Sequence, residues 1–167
     1  MFGVGDKVVY PHHGAGTVIR KELRTALGQE REYLTIQIAH SDMIVNVPTE
    51  NAERVGLRKI IDEEMVERVI QVLHGRGTTM PKNWNRRFKY NRDKMKTGDI
   101  FELAEVVRNL SLREQEKGLS TGEKQMFVKA KKILASELMY AKYMDEEETA
   151  EWLDEVLATV SDSAVVA

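Results

Sequence analysis

The stretch "REYLTIQIA", residues 31–39, reads as a β-strand and decides the class of the first third of the chain. Leu34, Ile36 and Ile38 alternate with Thr35 and Gln37, a period of two that buries one face and wets the other. On either side, "DKVVY", "GTVIRKEL" and "MIVNVP" are equally short and rich in β-branched and aromatic residues. Turn formers separate them, in residues 11–16, at Leu27 and Gly28, and at His40, Ser41 and Asp42. Four or five such strands in about 50 residues predict a small curled antiparallel sheet of the SH3 or Tudor kind. Gly14 and Gly16 supply positive φ or close backbone approach where the chain turns between the first two strands.

After Pro48 the period changes. "DEEMVERVIQVLHG" offers Asp62 as N-cap, acids in the first turn, an apolar stripe from Met65 to Leu73 and Gly75 as a stop. A second helix is expected from about Trp84 to Thr97 with Gly98 beyond it, and Asp99 caps a third carrying Ile100, Leu103, Val106, Val107 and Leu110. Ser120 and Glu123 form a capping box that opens a long helix to about Tyr143. A last amphipathic helix uses Trp152, Leu153, Val156, Leu157 and Val160. The fold class expected is therefore α+β in two domains: a β module over residues 1–53, a linker or short helix over 54–61, an all-α domain over 62–160 and a frayed tail over 161–167.

With 167 residues, 42% hydrophobic and 31% charged, the composition is that of a folded protein. The absence of cysteine excludes disulfides, thiolate metal sites and a Cys nucleophile. No signal-peptide pattern opens the chain and no stretch approaches the roughly 18 apolar residues of a membrane span, so a cytoplasmic protein is expected. Net charge is −2, but it is unevenly spread. Residues 82–94 hold six basic side chains against Asp93, and residues 145–167 hold eight acids and no base. A polyanion would be met by the middle of the chain and repelled by its end.

Little in the sequence points to catalysis. HExxH and Walker sequences do not occur, the adjacent His12 and His13 point to opposite sides if extended, and no cofactor or metal is implied. An enzyme is not expected. The basic stretch "PKNWNRRFKY", residues 81–90, is the stronger lead. On a helical wheel Trp84, Phe88, Asn91 and Met95 share one face, so Trp84 fits either a core stripe or, at a helix start beside two arginines, a stacking or wedging contact with nucleic acid. The start of the "STGEK" helix, with Lys124 and Gly122, suits a phosphate, although taken alone a plain capped surface helix is the simpler reading.

Four separated motifs, "VGDKVVYPHHGAGTV", "VPTENAERVGLRKI", "NWNRRFKYN" and "AEVVRNLSLREQEKGLSTGEKQM", together resemble, in order, the CarD family of bacterial transcription regulators, of the CdnL type. The resemblance implies an amino-terminal Tudor-like domain that binds the β subunit of RNA polymerase. It implies a helical domain that reaches promoter DNA at the upstream fork of the transcription bubble, where a tryptophan wedges into the minor groove and stabilises the open complex without reading sequence. Carried onto this chain, the wedge is Trp84, its DNA-contacting neighbours are Arg86, Arg87, Lys89 and Lys124, and Arg24 matches a polymerase-contacting arginine. Asn46, the second polymerase-binding position the resemblance implies, stands where mycobacterial-type members carry an arginine; it loses a charge-assisted contact but can still hydrogen-bond. The partners expected are polymerase and promoter DNA, for a monomer associated with the nucleoid. The alternative is an architectural DNA-binding protein that acts without polymerase.

Overall fold

Alternating burial along β3 (Gln29–Ile38) organises the amino-terminal sheet. The computed structural model describes residues 1–11 and 13–166, with the side chains of Ala26 and residues 159–166 outside the described set. β3 lies between β2 (Gly14–Ala26) and β4 (Ile44–Pro48), while β1 (Lys7–Tyr10) and the two-residue β5 (Arg58–Lys59) complete a five-stranded antiparallel sheet of order β4-β3-β2-β1-β5. Leu34, Ile36 and Ile38 pack with Phe2, Val8, Val18, Val47, Ala52 and Leu57 into one apolar cluster.

Two details depart from simple alternation. Thr35 is buried on the supposedly wet face, between its cross-strand neighbours Arg20 and Asn46, and its hydroxyl donates to Asn46 Oδ1 at 2.8 Å. A register shift between Val18 and Arg20 bulges β2, leaving Ile19 partly exposed.

Glycine acts in the sheet in both expected ways. Gly14 has φ +103°, and Gly16 lies so close to β3 that a Cβ there would sit 2.4 Å from the Gln37 carbonyl oxygen. The β2–β3 hairpin turns on Leu27 and Gly28, with φ of 52° and 77°. Positive φ at both central residues matches the strand twist, and Leu27 stays wholly exposed at the tip.

Helices follow: α1 (Glu63–His74), α2 (Trp84–Lys96), α3 (Ile100–Glu116), α4 (Thr121–Ala141) and α5 (Glu146–Val166). Asp62, Asn83, Asp99 and Ser120 cap the first four, each accepting from a backbone N–H of the first turn. α3 is central and packs against all four others. Its buried residues include Leu103, Ala104, Val106, Val107 and Leu110, and they join Val69 and Leu73 of α1, Leu134 and Leu138 of α4 and Leu153 of α5 in a second core. Among the described residues no helix is long and apolar enough to cross a membrane. The expected frayed tail, residues 161–167, falls on side chains outside the described set, and α5 extends to Val166.

Sheet and helices meet along α4. Glu137, only 3% exposed, receives both arms of the Arg58 guanidinium at 2.7 Å each and the Ile61 backbone N–H at 2.9 Å. Arg58 Nε donates to the Gly98 carbonyl, and Ala15 N–H donates to Ser136 Oγ at 2.9 Å. The stretch read as a linker therefore carries both a strand, β5, and the arginine that ties the sheet to α4.

Candidate nucleic-acid interface

The amino-terminal ends of α2 and α4 converge on Trp84. Its indole stacks on Phe88, one turn along α2, with centroids 5.0 Å apart and planes at 23°. Its Nε1–H donates to Ser120 Oγ, the N-cap hydroxyl of α4, at 2.7 Å. A Cβ on Gly122 would lie 3.3 Å from the indole Cζ2, so the missing side chain leaves room for the ring to lie against α4. Held on these three sides, Trp84 remains 42% exposed. Farther along the same stripe Asn91 and Met95 are buried and Phe88 is half-buried. The two uses that the wheel allowed this stripe are thus divided: its later residues are core, and its first residue faces outward.

Arg87 differs from the expectation. It is 4% exposed, with Nε and Nη2 on the Glu123 carboxylate at 2.8 and 3.1 Å and Nη1 on the Lys82 carbonyl at 3.0 Å. A guanidinium so enclosed has no face left for a phosphate, so the direct DNA contact expected of Arg87 is replaced by a supporting one. The charge-assisted bonds lower the Glu123 pKa and raise that of Arg87. Glu123 also accepts from the Ser120 hydroxyl at 3.1 Å, which links the ion pair to the tryptophan.

Arg86 and Lys89 of α2 and Lys124 of α4, two residues after Gly122, are exposed. Lys89 pairs with Asp93 at 3.3 Å, an exposed i,i+4 pair that salt and competing anions weaken easily. Sequence reasoning missed a second basic group. Beside the loop leading to Trp84, a cleft of about 650 Å³ is lined by Arg76, Lys82, Arg113 and Lys117 against the single acid Glu116. Arg113 and Lys117 come from the end of α3, about 30 residues from Trp84 in sequence, and only the fold brings them near.

The other expected residues lie on the sheet. Arg24 is opposite Arg31 and Asn46 opposite Thr35, and since Arg31 and Thr35 share one face of β3, Arg24 and Asn46 share that outer face too. The Arg24 guanidinium pairs with Glu22 at 2.7 Å and lies 5.9 Å from the Tyr33 ring centroid. β4, which carries Asn46, is an open edge of the sheet. Of the two histidines considered for catalysis, His12 lies outside the described residues. His13 packs on Tyr10, and burial lowers the pKa of its imidazole. Among the described residues no group of three or more His, Asp or Glu side chains could hold a metal ion.

The chain is similar to known proteins over both its sheet and its helices. Residues 2–61 match the model of the CarD-like/TRCF RID domain and residues 68–154 that of the CarD C-terminal domain. The chain is 36% identical over 149 residues to the Bacillus subtilis (strain 168) protein named "Putative transcription factor YdeB", an alignment covering 89% of this chain and 97% of that one. A solution structure of the N-terminal domain of Myxococcus xanthus CarD is 30% identical, covering 35% of this chain and 79% of that domain, with a TM-score of 0.31. Matched by both domain models and along nearly the full length of a relative, the chain belongs to the CarD family.

Proposed function

We propose that this protein is a transcription regulator that docks on the RNA polymerase β subunit through its amino-terminal part, residues 1–53, and stabilises the promoter open complex through its helical part, residues 62–160. The observation that carries the reading is Trp84. A large aromatic ring is held on three sides at the meeting point of two helix N-termini, yet it keeps 42% of its surface exposed, on two helices that also carry the exposed cations Arg86, Lys89 and Lys124.

Such a ring can enter the minor groove at a base step. Unstacking a step costs a few kcal/mol, and least where the duplex is already distorted, so the wedge favours the edge of a melted bubble over intact DNA. The exposed cations of α2 and α4 would contact phosphates, and the cleft of Arg76, Lys82, Arg113 and Lys117 would offer further contacts to the backbone. Arg87 takes no phosphate; its part is to hold the base of the wedge.

A chain of net charge −2 binds DNA weakly alone, and docking supplies the missing effective concentration. The outer sheet face with Arg24 and Asn46, the open β4 edge and the exposed Leu23 and Leu27 of the long hairpin are features a protein partner can use. The acidic α5 meets α4 at Lys131, whose ammonium pairs with Asp154 at 2.6 Å, roughly 16 Å along the helix from Ser120.

The test is co-purification of polymerase with the wild-type chain, Arg24→Ala and Trp84→Ala. Arg24→Ala should reduce the polymerase recovered and Trp84→Ala should not. Tight duplex binding at physiological salt with no polymerase recovered would favour the polymerase-independent architectural protein.

A further inference from the structure

We propose that Ser120 is a positioning residue for Trp84, whose indole it holds in the orientation that meets DNA. The inference rests on the DNA-contact reading of Trp84 and adds the group that makes that contact possible. A tryptophan at the first position of a helix, beside solvent, can choose among several rotamers. Here one is selected by a hydroxyl 36 residues away in sequence.

Every hydrogen-bonding capacity of that hydroxyl is used. It donates to Glu123 Oε1 at 3.1 Å and accepts from the Glu123 N–H at 3.2 Å and from Trp84 Nε1 at 2.7 Å. Because its proton is committed to Glu123, its lone pairs have fixed directions. Glu123 is fixed in turn by the buried fork from Arg87. The constraint therefore runs from Arg87 through Glu123 and Ser120 to the exposed ring, with Gly122 leaving space for the ring beside it. A helix cap needs the bond to the Glu123 N–H but has no need of the bond from the indole. That additional bond presets the wedge, so that DNA does not have to order a mobile side chain on binding.

The experiment compares open-complex lifetimes on one promoter with polymerase and the full-length chain as wild type, Ser120→Ala, Trp84→Phe, the double variant, Ser120→Thr and Trp84→Ala. Ser120→Ala and Trp84→Phe should each shorten the lifetime about three- to tenfold, the scale of one neutral hydrogen bond. The double variant should be no shorter-lived than Trp84→Phe, because phenylalanine has no N–H for Ser120 to hold. Ser120→Thr, which retains the hydroxyl, should restore the lifetime. A wild-type lifetime for Ser120→Ala overturns the proposal. So does an equal shortening by Ser120→Ala in the Trp84→Phe background, which would assign the loss to the cap alone and is informative even if the variant is less stable. An unchanged lifetime for Trp84→Ala would instead remove the DNA contact on which the proposal rests.

Discussion

Arg58→Ala removes the guanidinium that joins the sheet to α4 and leaves the Glu137 carboxylate, 3% exposed, with the Ile61 N–H as its remaining hydrogen-bond donor. Taking away one partner of a buried pair costs about 3–5 kcal/mol, because the other charge stays buried without compensation. Arg58 is itself 30% exposed, so water can enter the vacated space, and the low end, about 3 kcal/mol, applies. In a chain of this length each kcal/mol moves the melting temperature by about 2–4 °C, which predicts a fall of about 6–12 °C. Arg58→Lys retains charge but not the fork and should fall between the two. Calorimetry on the full chain is the assay, and it also shows whether the single transition splits as sheet and helices uncouple. A drop under about 2 °C with one intact transition would refute the argument. It would mean that the sheet is held to α4 by Ala15, Ser136 and apolar packing rather than by this pair.

Three further outcomes follow from the region around Trp84 and from the sheet. Arg87→Ala should cost about 3–5 kcal/mol at pH 7 for the same reason. Because Arg87 lowers the Glu123 pKa in the folded protein, the stability from the pair is complete above the unfolded carboxyl value of about 4.3 and is lost as pH falls through the folded one. Melting curves of wild type and Arg87→Ala should therefore converge as the pH is lowered below the unfolded carboxyl value, and a constant gap contradicts the assignment. Gly122→Ala should hold or raise stability by up to about 1 kcal/mol through helix propensity, yet shorten the open-complex lifetime, because its Cβ presses on the indole at 3.3 Å; parallel melting and lifetime measurements check this. Gly16→Ala should destabilise by about 1–3 kcal/mol, since the clash at 2.4 Å is with backbone that cannot rotate away, and a wild-type denaturation midpoint would count against it.

How much of this was legible in the sequence depends on the range of the interaction. Period-two and period-3.6 burial is local, so the strand of Leu34, Ile36 and Ile38, the helix caps Asp62, Asp99 and Ser120 and the core stripe of α3 could be read directly. Thr35 could not, because its burial comes from flanking side chains on β2 and β4. Arg87 was misread for a related reason. A charged residue is solvated by default, and the Glu123 that accepts it lies 36 residues on. A signal was present nonetheless: Arg87 stands three residues after Trp84 and four before Asn91, on the buried stripe itself. The capping box of Ser120 and Glu123 was recognised, but its second use, gripping the Trp84 indole and the Arg87 guanidinium, exists only once α2 and α4 are packed. The Arg58 to Glu137 seam and the cleft that adds Arg113 and Lys117 are long-range in the same way.

The most direct measurement is the lifetime of the promoter open complex formed with polymerase and either wild-type protein or Trp84→Ala, alongside the amount of protein retained on polymerase. Loss of one stacking ring is worth about 1–3 kcal/mol, so Trp84→Ala should shorten the lifetime by about fivefold to a hundredfold while polymerase retention stays at the wild-type level. An unchanged lifetime at wild-type retention would contradict the account.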